Sequence, residues 1–94
     1  MEHRIITAVA HPDFTVELVF EGDERAVVSL ADFVAVGVVT EPLRRDPTLF
    51  AGGLRVEGDG EWIAWPGGVE IDADALWYQA HPEDLRRDFD PEVA

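Results

Sequence analysis

The sequence predicts an α+β fold: a small antiparallel sheet of two hairpins plus a short strand, packed by one or two short helices. Apolar and polar residues alternate over residues 14–20, which is the period of a half-buried strand. Polar, glycine-containing breaks at residues 21–24 and 58–60 each separate two apolar runs, as hairpin turns do. Residues 73–80 instead place their apolar side chains on one face at helical spacing.

Six runs rich in β-branched and aromatic residues are predicted as strands, at residues 4–9, 14–20, 26–30, 54–57, 61–65 and 69–71. The first run ends at the segment His11-Pro12-Asp13, because Pro12 has no N–H to donate to a neighbouring strand. Gly22 can take positive φ, which tight hairpin turns require. The second and third strands therefore pair as one hairpin, and the fourth and fifth as another.

Two helices are predicted from sequence signals at their ends. Asp46 can cap free backbone amides and Pro47 is favoured in a first turn, so a short helix begins there and ends at a glycine pair. A second helix covers residues 74–80, and residues 32–37 are predicted to be only weakly helical. The side chains expected in the core are Ile5, Val16, Leu18, Val28, Leu43, Phe50, Val56, Ile63, Trp65, Leu76 and Trp77.

The chain has 94 residues, with 20 acidic side chains, 7 basic ones that are all arginine, and a formal net charge of −13. The length predicts one domain at residues 1–80, followed by an acidic, weakly structured C-terminal tail at residues 81–94. A charge of this sign disfavours nucleic acid and a membrane surface as direct partners, and it favours a small basic protein. No apolar run suits a signal peptide or a membrane span, so a cytoplasmic location is expected.

The sequence has few candidates for catalytic side chains. Cysteine and lysine are absent from the sequence, which excludes disulfides, thiolate catalysis and Schiff-base chemistry. Ser29 is the one serine, and no Gly-x-Ser-x-Gly segment surrounds it. The arginine doublets at 44–45 and 86–87 lie among acids, which predicts local ion pairs rather than a nucleic-acid surface. We expect no enzymatic activity and no cofactor.

One acidic segment contains three candidate metal ligands. Glu70, Asp72 and Asp74 alternate along an extended stretch, which places three carboxylates on one side at intervals of about 6.6 Å. Carboxylate oxygens are the ligands that Ca²⁺ and Mg²⁺ prefer. The favoured interpretation is that these acids cap and begin the helix at residues 74–80.

The candidate interaction residues are Trp62, Trp65, Trp77 and Tyr78. In the strand at residues 61–65, Trp65 faces one side of the sheet and Trp62 the other, so both faces of this strand are apolar. Such a strand is either covered on both sides within the core or leaves one face for a partner. A short chain has little mass with which to cover a second face.

Several motifs follow one another along the chain: His11-Pro12, the strand at 14–20, residues 38–43, Asp46-Pro47, Leu49-Phe50, Val56-Glu57, Ile63-Ala64-Trp65-Pro66, Gly68 and Leu76-Trp77. Together they resemble the bacterial family Domain of Unknown Function 2442 over about residues 3–80. The most specific motif is the Trp-Pro-x-Gly turn at residues 65–68. The chain departs from the family pattern at Gly67, where asparagine is usual, and at Trp77, where tyrosine is usual.

This resemblance implies a small α+β domain for which no catalytic residues are established. Some members of that family are followed by a DNA-binding helix-turn-helix domain. Others lie beside a small basic partner, in arrangements that resemble toxin–antitoxin pairs.

The leading hypothesis is a non-enzymatic, antitoxin-like protein-interaction module that binds a small basic protein through charge complementarity and an aromatic patch. The alternative is a homodimer with a structural or regulatory role, because symmetric pairing is a common way for a small domain to cover an apolar face. A third hypothesis is a metal-binding protein or enzyme that uses the acids at 70, 72 and 74.

Overall fold

Six strands and five helices are formed within residues 3–89, the part of the chain that the computed structural model describes. The strands are β1 (Ile5–Ala10), β2 (Thr15–Phe20), β3 (Glu24–Ser29), β4 (Arg55–Glu57), β5 (Trp62–Trp65) and β6 (Val69–Asp72). The helices are α1 (Ala31–Val34), α2 (Glu41–Arg45), α3 (Pro47–Gly53), α4 (Ala73–Ala80) and α5 (Pro82–Phe89). A three-residue turn at Gly58–Gly60 joins β4 to β5.

The α+β class and both predicted hairpins are confirmed. The prediction named a single sheet, whereas the structure divides the strands between two antiparallel sheets, β1-β2-β3 (the first sheet) and β4-β5-β6 (the second sheet). In each sheet, strands that follow one another in the chain pair with each other. Helices α1, α2 and α3 lie between β3 and β4 in the chain, so the chain has left the first sheet before the second begins.

The turn between β4 and β5 lies against the backbone of β1. Gly60 in this turn has a φ of +92°, and a Cβ built on it would lie 2.3 Å from the Ile5 carbonyl oxygen. Only glycine suits a position that combines positive φ with backbone so near. The Arg4 guanidinium donates to the Asp59 carbonyl at 3.2 Å, so the start of the first sheet is also hydrogen-bonded to this turn.

The core lies between the sheets and the two helices that bridge them. Helix α3 contacts β1 and β5, and α4 contacts β3 and β6. The buried apolar side chains include Ile5, Ala10, Val16, Leu18, Phe20, Val28, Leu30, Val34, Leu43, Phe50, Ile63, Trp65, Val69, Ala73 and Leu76. Two predicted core members differ: Trp77 is only partly buried, and Val56 is exposed because β4 is a three-residue strand at the margin of its sheet.

Both predicted helices form. The Asp46 carboxylate accepts the backbone N–H of Thr48 at 3.1 Å and that of Leu49 at 3.4 Å, which is N-capping of α3. The hydrogen bond from the Thr48 hydroxyl also holds the pKa of Asp46 below its usual value. Helix α4 corresponds to the helix expected at residues 74–80, whereas α2 was not predicted. The weakly helical segment contains only the four-residue α1, and a turn follows it.

Helix α5 occupies the first part of the segment predicted as a weakly structured tail. Two hydrogen bonds join it to α4: the Trp77 indole N–H donates to Asp84 at 3.1 Å, and the Tyr78 hydroxyl donates to Asp88 at 2.8 Å. Residues 90–94 of that tail lie outside the described residues, and the division into a domain at 1–80 and a tail at 81–94 stays a prediction. Within residues 3–89, no helix has the length and apolar character needed to cross a membrane.

Candidate interaction surface

The loop between α1 and α2, residues 35–40, exposes three large apolar side chains and is called the valine loop here. Val36, Val38 and Val39 are 70%, 83% and 57% exposed, and Phe33 beside them is 38% exposed. Together with residues 68–70 the loop lines an open groove of about 380 Å³. A contiguous exposed apolar surface of this kind is typical of protein-interaction sites.

Partly buried hydrogen bonds from Thr40 and Arg44 fix the shape of the valine loop. The Thr40 hydroxyl is buried and donates to the Val36 carbonyl at 2.7 Å. The Arg44 guanidinium donates to the Val34 carbonyl at 2.6 Å. Gly37, between the exposed valines, has a φ of +96°, which lets the loop turn back on itself. Because its carbonyls are satisfied from within the domain, the loop presents its valines in a preformed arrangement.

Replacing Thr40 with valine tests this arrangement. The two side chains have nearly the same shape, so the substitution removes the hydroxyl donor and leaves loop carbonyls without their partner. We expect the free energy of unfolding to fall by about 1–2 kcal/mol, measured by urea denaturation. Thr7→Val, at an exposed position of β1, is the matched control and should change stability by less than about 0.5 kcal/mol. Equal effects at the two sites would contradict the role given to Thr40.

A second feature, the acidic recess, adjoins the valine loop and is lined by Trp62, Glu70 and Asp72. It is an open depression of about 310 Å³. Trp62 lies directly opposite Asp72 in the pairing of β5 with β6, so both side chains are on one face of the second sheet, together with Glu70. Within residues 3–89, neither carboxylate of the recess has a cationic partner.

The Trp62 ring is held against the hairpin turn at the base of its sheet. A Cβ built on Gly58 would lie 2.3 Å from that ring, so the glycine leaves the space that the indole occupies. The ring is half-buried, and its indole N–H makes no hydrogen bond within the described residues. Trp62 is thus the predicted interaction residue that faces the recess.

Trp65 belongs to the core, which corrects its place among the candidate interaction residues. It is 1% exposed, stacks on Phe50 with ring centroids 5.1 Å apart, and donates its indole N–H to the Phe50 carbonyl at 2.8 Å. The inner face of β5 is therefore covered by α3, whereas Trp62 on the outer face borders the open recess.

Trp77 and Tyr78 connect α4 to His3 and to the segment that follows the helix. The rings of His3 and His81 stack on Trp77 at centroid distances of 4.2 and 4.0 Å. Burial opposes protonation of His81, but hydrogen bonds with the Trp77 carbonyl and Glu24 outweigh it and raise the pKa of His81 above its usual value. The hydrogen bond to Asp88 likewise raises the pKa of Tyr78. Both aromatic residues thus have structural contacts in the domain.

Of the three acids considered for a metal site, Glu70 and Asp72 share the acidic recess, whereas Asp74 lies in the first turn of α4. Asp74 accepts the backbone N–H of His3 at 2.8 Å, which ties the N-terminal segment to the first turn of α4. Asp72 is at the N-cap position of α4, but its side chain makes no capping hydrogen bond. Glu70 borders both the recess and the valine groove. Within residues 3–89, no group of three potential ligands is placed to hold a metal ion.

One arginine of each doublet forms the local ion pair that its acidic surroundings predicted. Arg45 pairs with Glu41 at 3.3 Å, and Arg87 pairs with Asp84 at 3.0 Å. Arg44 instead donates to carbonyls of the valine loop and its flank, so it shapes the candidate surface.

A comparison with protein-family models identifies the family. The model described as "Protein of unknown function (DUF2442)" matches residues 5–82. The chain belongs to the DUF2442 family. This confirms the resemblance found in the sequence, and both the valine loop and the acidic recess lie inside the part of the chain that matches. Comparisons with the curated proteins and with the solved structures give no match.

The valine loop of this DUF2442 domain was not among the predicted sites. Its signal was present in residues 34–39, an apolar run with no alternating polar residues that is interrupted by Gly37. That composition was interpreted as a weak helix, and helices and strands usually bury such residues. Only the folded chain shows that the run follows a four-residue helix and turns outward.

Proposed function

We propose that this DUF2442 domain is a non-enzymatic, antitoxin-like interaction module that binds a small basic protein. The observation that supports this is the continuity of two surfaces: the valine loop provides exposed apolar area, and Glu70 joins it to the acidic recess. Interfaces of this kind combine apolar anchors with charges that select the partner.

The charge of the chain favours a partner of opposite sign. With a formal net charge of −13, the domain attracts a basic protein at long range, which speeds encounter and makes binding weaker at high salt. The carboxylates of Glu70 and Asp72 form no ion pair with any residue in the part of the chain that the structure describes, which supports their availability to cationic side chains of a partner. The proposal places the module in the cytoplasm, where a chain without cysteine is unaffected by reducing conditions.

Ser29, the one serine in the sequence, makes a structural contact. The Ser29 hydroxyl oxygen accepts the backbone N–H of Ala31 at 3.3 Å, at the start of α1. Its side chain thus contributes to the beginning of the segment that leads into the valine loop. This agrees with a binding role for that region.

The proposal is tested by capture of proteins from a lysate of the source organism on the tagged domain at low salt. The retained protein is then purified, and its affinity is measured for the original domain and for Val36→Thr/Val38→Thr. Each substitution keeps the β-branched shape and replaces a methyl with a hydroxyl, at a cost of about 0.8 kcal/mol or more. We expect binding to weaken about tenfold or more in the double variant, and to weaken as salt rises.

Val9→Thr/Val27→Thr is the matched control, because these valines of the first sheet are 52% and 64% exposed. We expect its affinity for the retained protein to stay within a factor of two of the original. A retained protein that is acidic, that binds equally at low and high salt, or that is unaffected by the valine-loop substitutions would count against the proposal.

Homodimerisation is the second candidate, and one observation favours it. Val9, Glu17 and Val27 lie in register across the outer face of the first sheet, so two exposed valines flank one glutamate in a row that two copies can share. The net charge of −13 on each copy opposes such pairing. Sedimentation velocity of the isolated domain distinguishes the two candidates, since a dimer that dissociates in Val9→Thr/Val27→Thr would favour this alternative.

A further inference from the structure

We infer that the outer edge of β6 is a docking site for an extended basic segment of the partner, which adds to the second sheet as a fourth strand. This inference rests on the proposed function and specifies how the partner is held. In such an arrangement, backbone hydrogen bonds give affinity, and the alternating side chains of the added strand give specificity.

Backbone groups of alternate residues in β6 point outward, away from β5. The Ala73 N–H donates to the Glu61 carbonyl at 2.9 Å, which continues the β5–β6 register one position beyond the pair Trp62–Asp72 and marks position 73 as one that bonds toward β5. Hydrogen-bonded and non-hydrogen-bonded pairs alternate along two antiparallel strands. Ile71 and Val69 are therefore the residues of β6 whose N–H and C=O groups bond to β5. The N–H and C=O groups of Glu70 and Asp72 therefore point away from β5. Within the described residues, β6 is the last strand of its sheet on that side.

The apolar groove lies beside the outer edge of β6. Residues 68–70, at the start of β6, form one wall of the apolar groove, and the valine loop forms the other. A strand paired with β6 would lie about 4.8 Å from it and would therefore enter this groove. Val38 and Val39 are highly exposed on the opposite wall and supply apolar contacts for it.

Two carboxylates give the edge of β6 a negative charge. The side chains of Glu70 and Asp72 project from one face of the sheet, on the same side as the Trp62 ring. Every second residue of an added strand projects from that face too. Arginine at those positions can pair with the two carboxylates and stack its planar guanidinium on an aromatic ring. The segment that fits best therefore alternates arginine with apolar residues.

The same charge argues against a second copy of the chain at this edge. If two β6 edges paired antiparallel about a twofold axis, Glu70 and Asp72 of one copy would lie beside those of the other. Like charges placed opposite one another on neighbouring strands destabilise the pairing. A basic segment removes this repulsion, whereas a second copy creates it.

The test uses three synthetic peptides and the intact domain. The first is the acetylated, amidated peptide Arg-Val-Arg-Val-Arg, and the other two carry an N-methyl group on alternate residues, one on both valines and one on the central arginine. All three have the same charge and nearly the same composition. Binding is followed at low salt by the backbone amide signals and amide hydrogen exchange of the labelled domain.

We expect the unmodified peptide to slow exchange at the amides of Glu70 and Asp72 and to leave Val69 and Ile71 almost unchanged. One of the two methylated peptides should bind about tenfold or more weakly, because it lacks N–H groups that the new ladder needs. Glu70→Gln/Asp72→Asn should weaken binding more than Glu21→Gln/Glu83→Gln, which changes net charge equally at exposed acids elsewhere.

Several results would overturn the inference. Equal binding of all three peptides, or equal losses in both double variants, would show that only the overall charge is recognised. Protection of Glu70 and Asp72 that grows with domain concentration without peptide would show a second copy at the edge. A retained basic protein that depends on Val36 and Val38 but protects neither amide would refute edge pairing while the proposed function stands. Failure to retain a basic protein would refute the proposed function but not strand pairing at the edge of β6.

Discussion

Gly60→Ala is expected to destabilise the domain by about 3 kcal/mol or more. Alanine at a φ of +92° is strained by about 1–2 kcal/mol wherever it occurs. At this position the new Cβ also lies 2.3 Å from the Ile5 carbonyl oxygen and 2.9 Å from the Ile5 nitrogen. Neither neighbour is a side chain that can rotate away, so the turn or β1 must move, and such shifts typically cost about 1–3 kcal/mol.

Gly22→Ala separates the two contributions. Gly22 has a φ of +91°, but nothing lies within 4 Å of a Cβ built there. This variant therefore has the conformational strain without the contact, and should lose only about 1–2 kcal/mol. Urea denaturation followed by far-ultraviolet circular dichroism measures both. If the two variants lose the same stability, the close approach of the β4–β5 turn to β1 is not what joins the two sheets.

The contact between the two sheets is also the part of the fold that the sequence predicts least well. Each hairpin was predictable because its signals are local: alternation along residues 14–20 and a glycine-rich turn at 58–60. The N-cap at Asp46 was predictable for the same reason. Whether β1 pairs with β4 or only packs beside it depends on contacts between residues more than fifty positions apart, such as Arg4 with Asp59. No local pattern encodes that choice, so one sheet was expected where two are formed.

The candidate surface was predictable only in part, for a related reason. Alternation in β5 correctly separated the two faces of that strand, but it did not show which face α3 covers. The sequence pattern gives no reason to bury Trp65 rather than Trp62. In the folded chain Phe50 packs on Trp65, so Trp65 is the buried one. The valine loop required tertiary information, because an apolar run is ordinarily a sign of burial.

Trp65→Phe is the second substitution with a large expected effect. The Trp65 indole N–H donates to the Phe50 carbonyl, which lies in the last turn of α3, where carbonyls lack partners within the helix. Phenylalanine leaves that buried carbonyl unsatisfied and also leaves a cavity beside Phe50. We expect the free energy of unfolding to fall by about 2–4 kcal/mol in urea denaturation followed by circular dichroism.

Trp62→Phe is the matched control because it makes the same chemical change on the other face of the same strand. Its ring is half-buried, and its indole N–H has no hydrogen-bond partner within residues 3–89, so the loss should stay below about 1 kcal/mol. A large gap between the two variants means that β5 contributes one tryptophan to the core and leaves the other to the surface. Similar losses would mean that both faces of β5 are covered, and the acidic recess would then no longer be an open site for a basic partner.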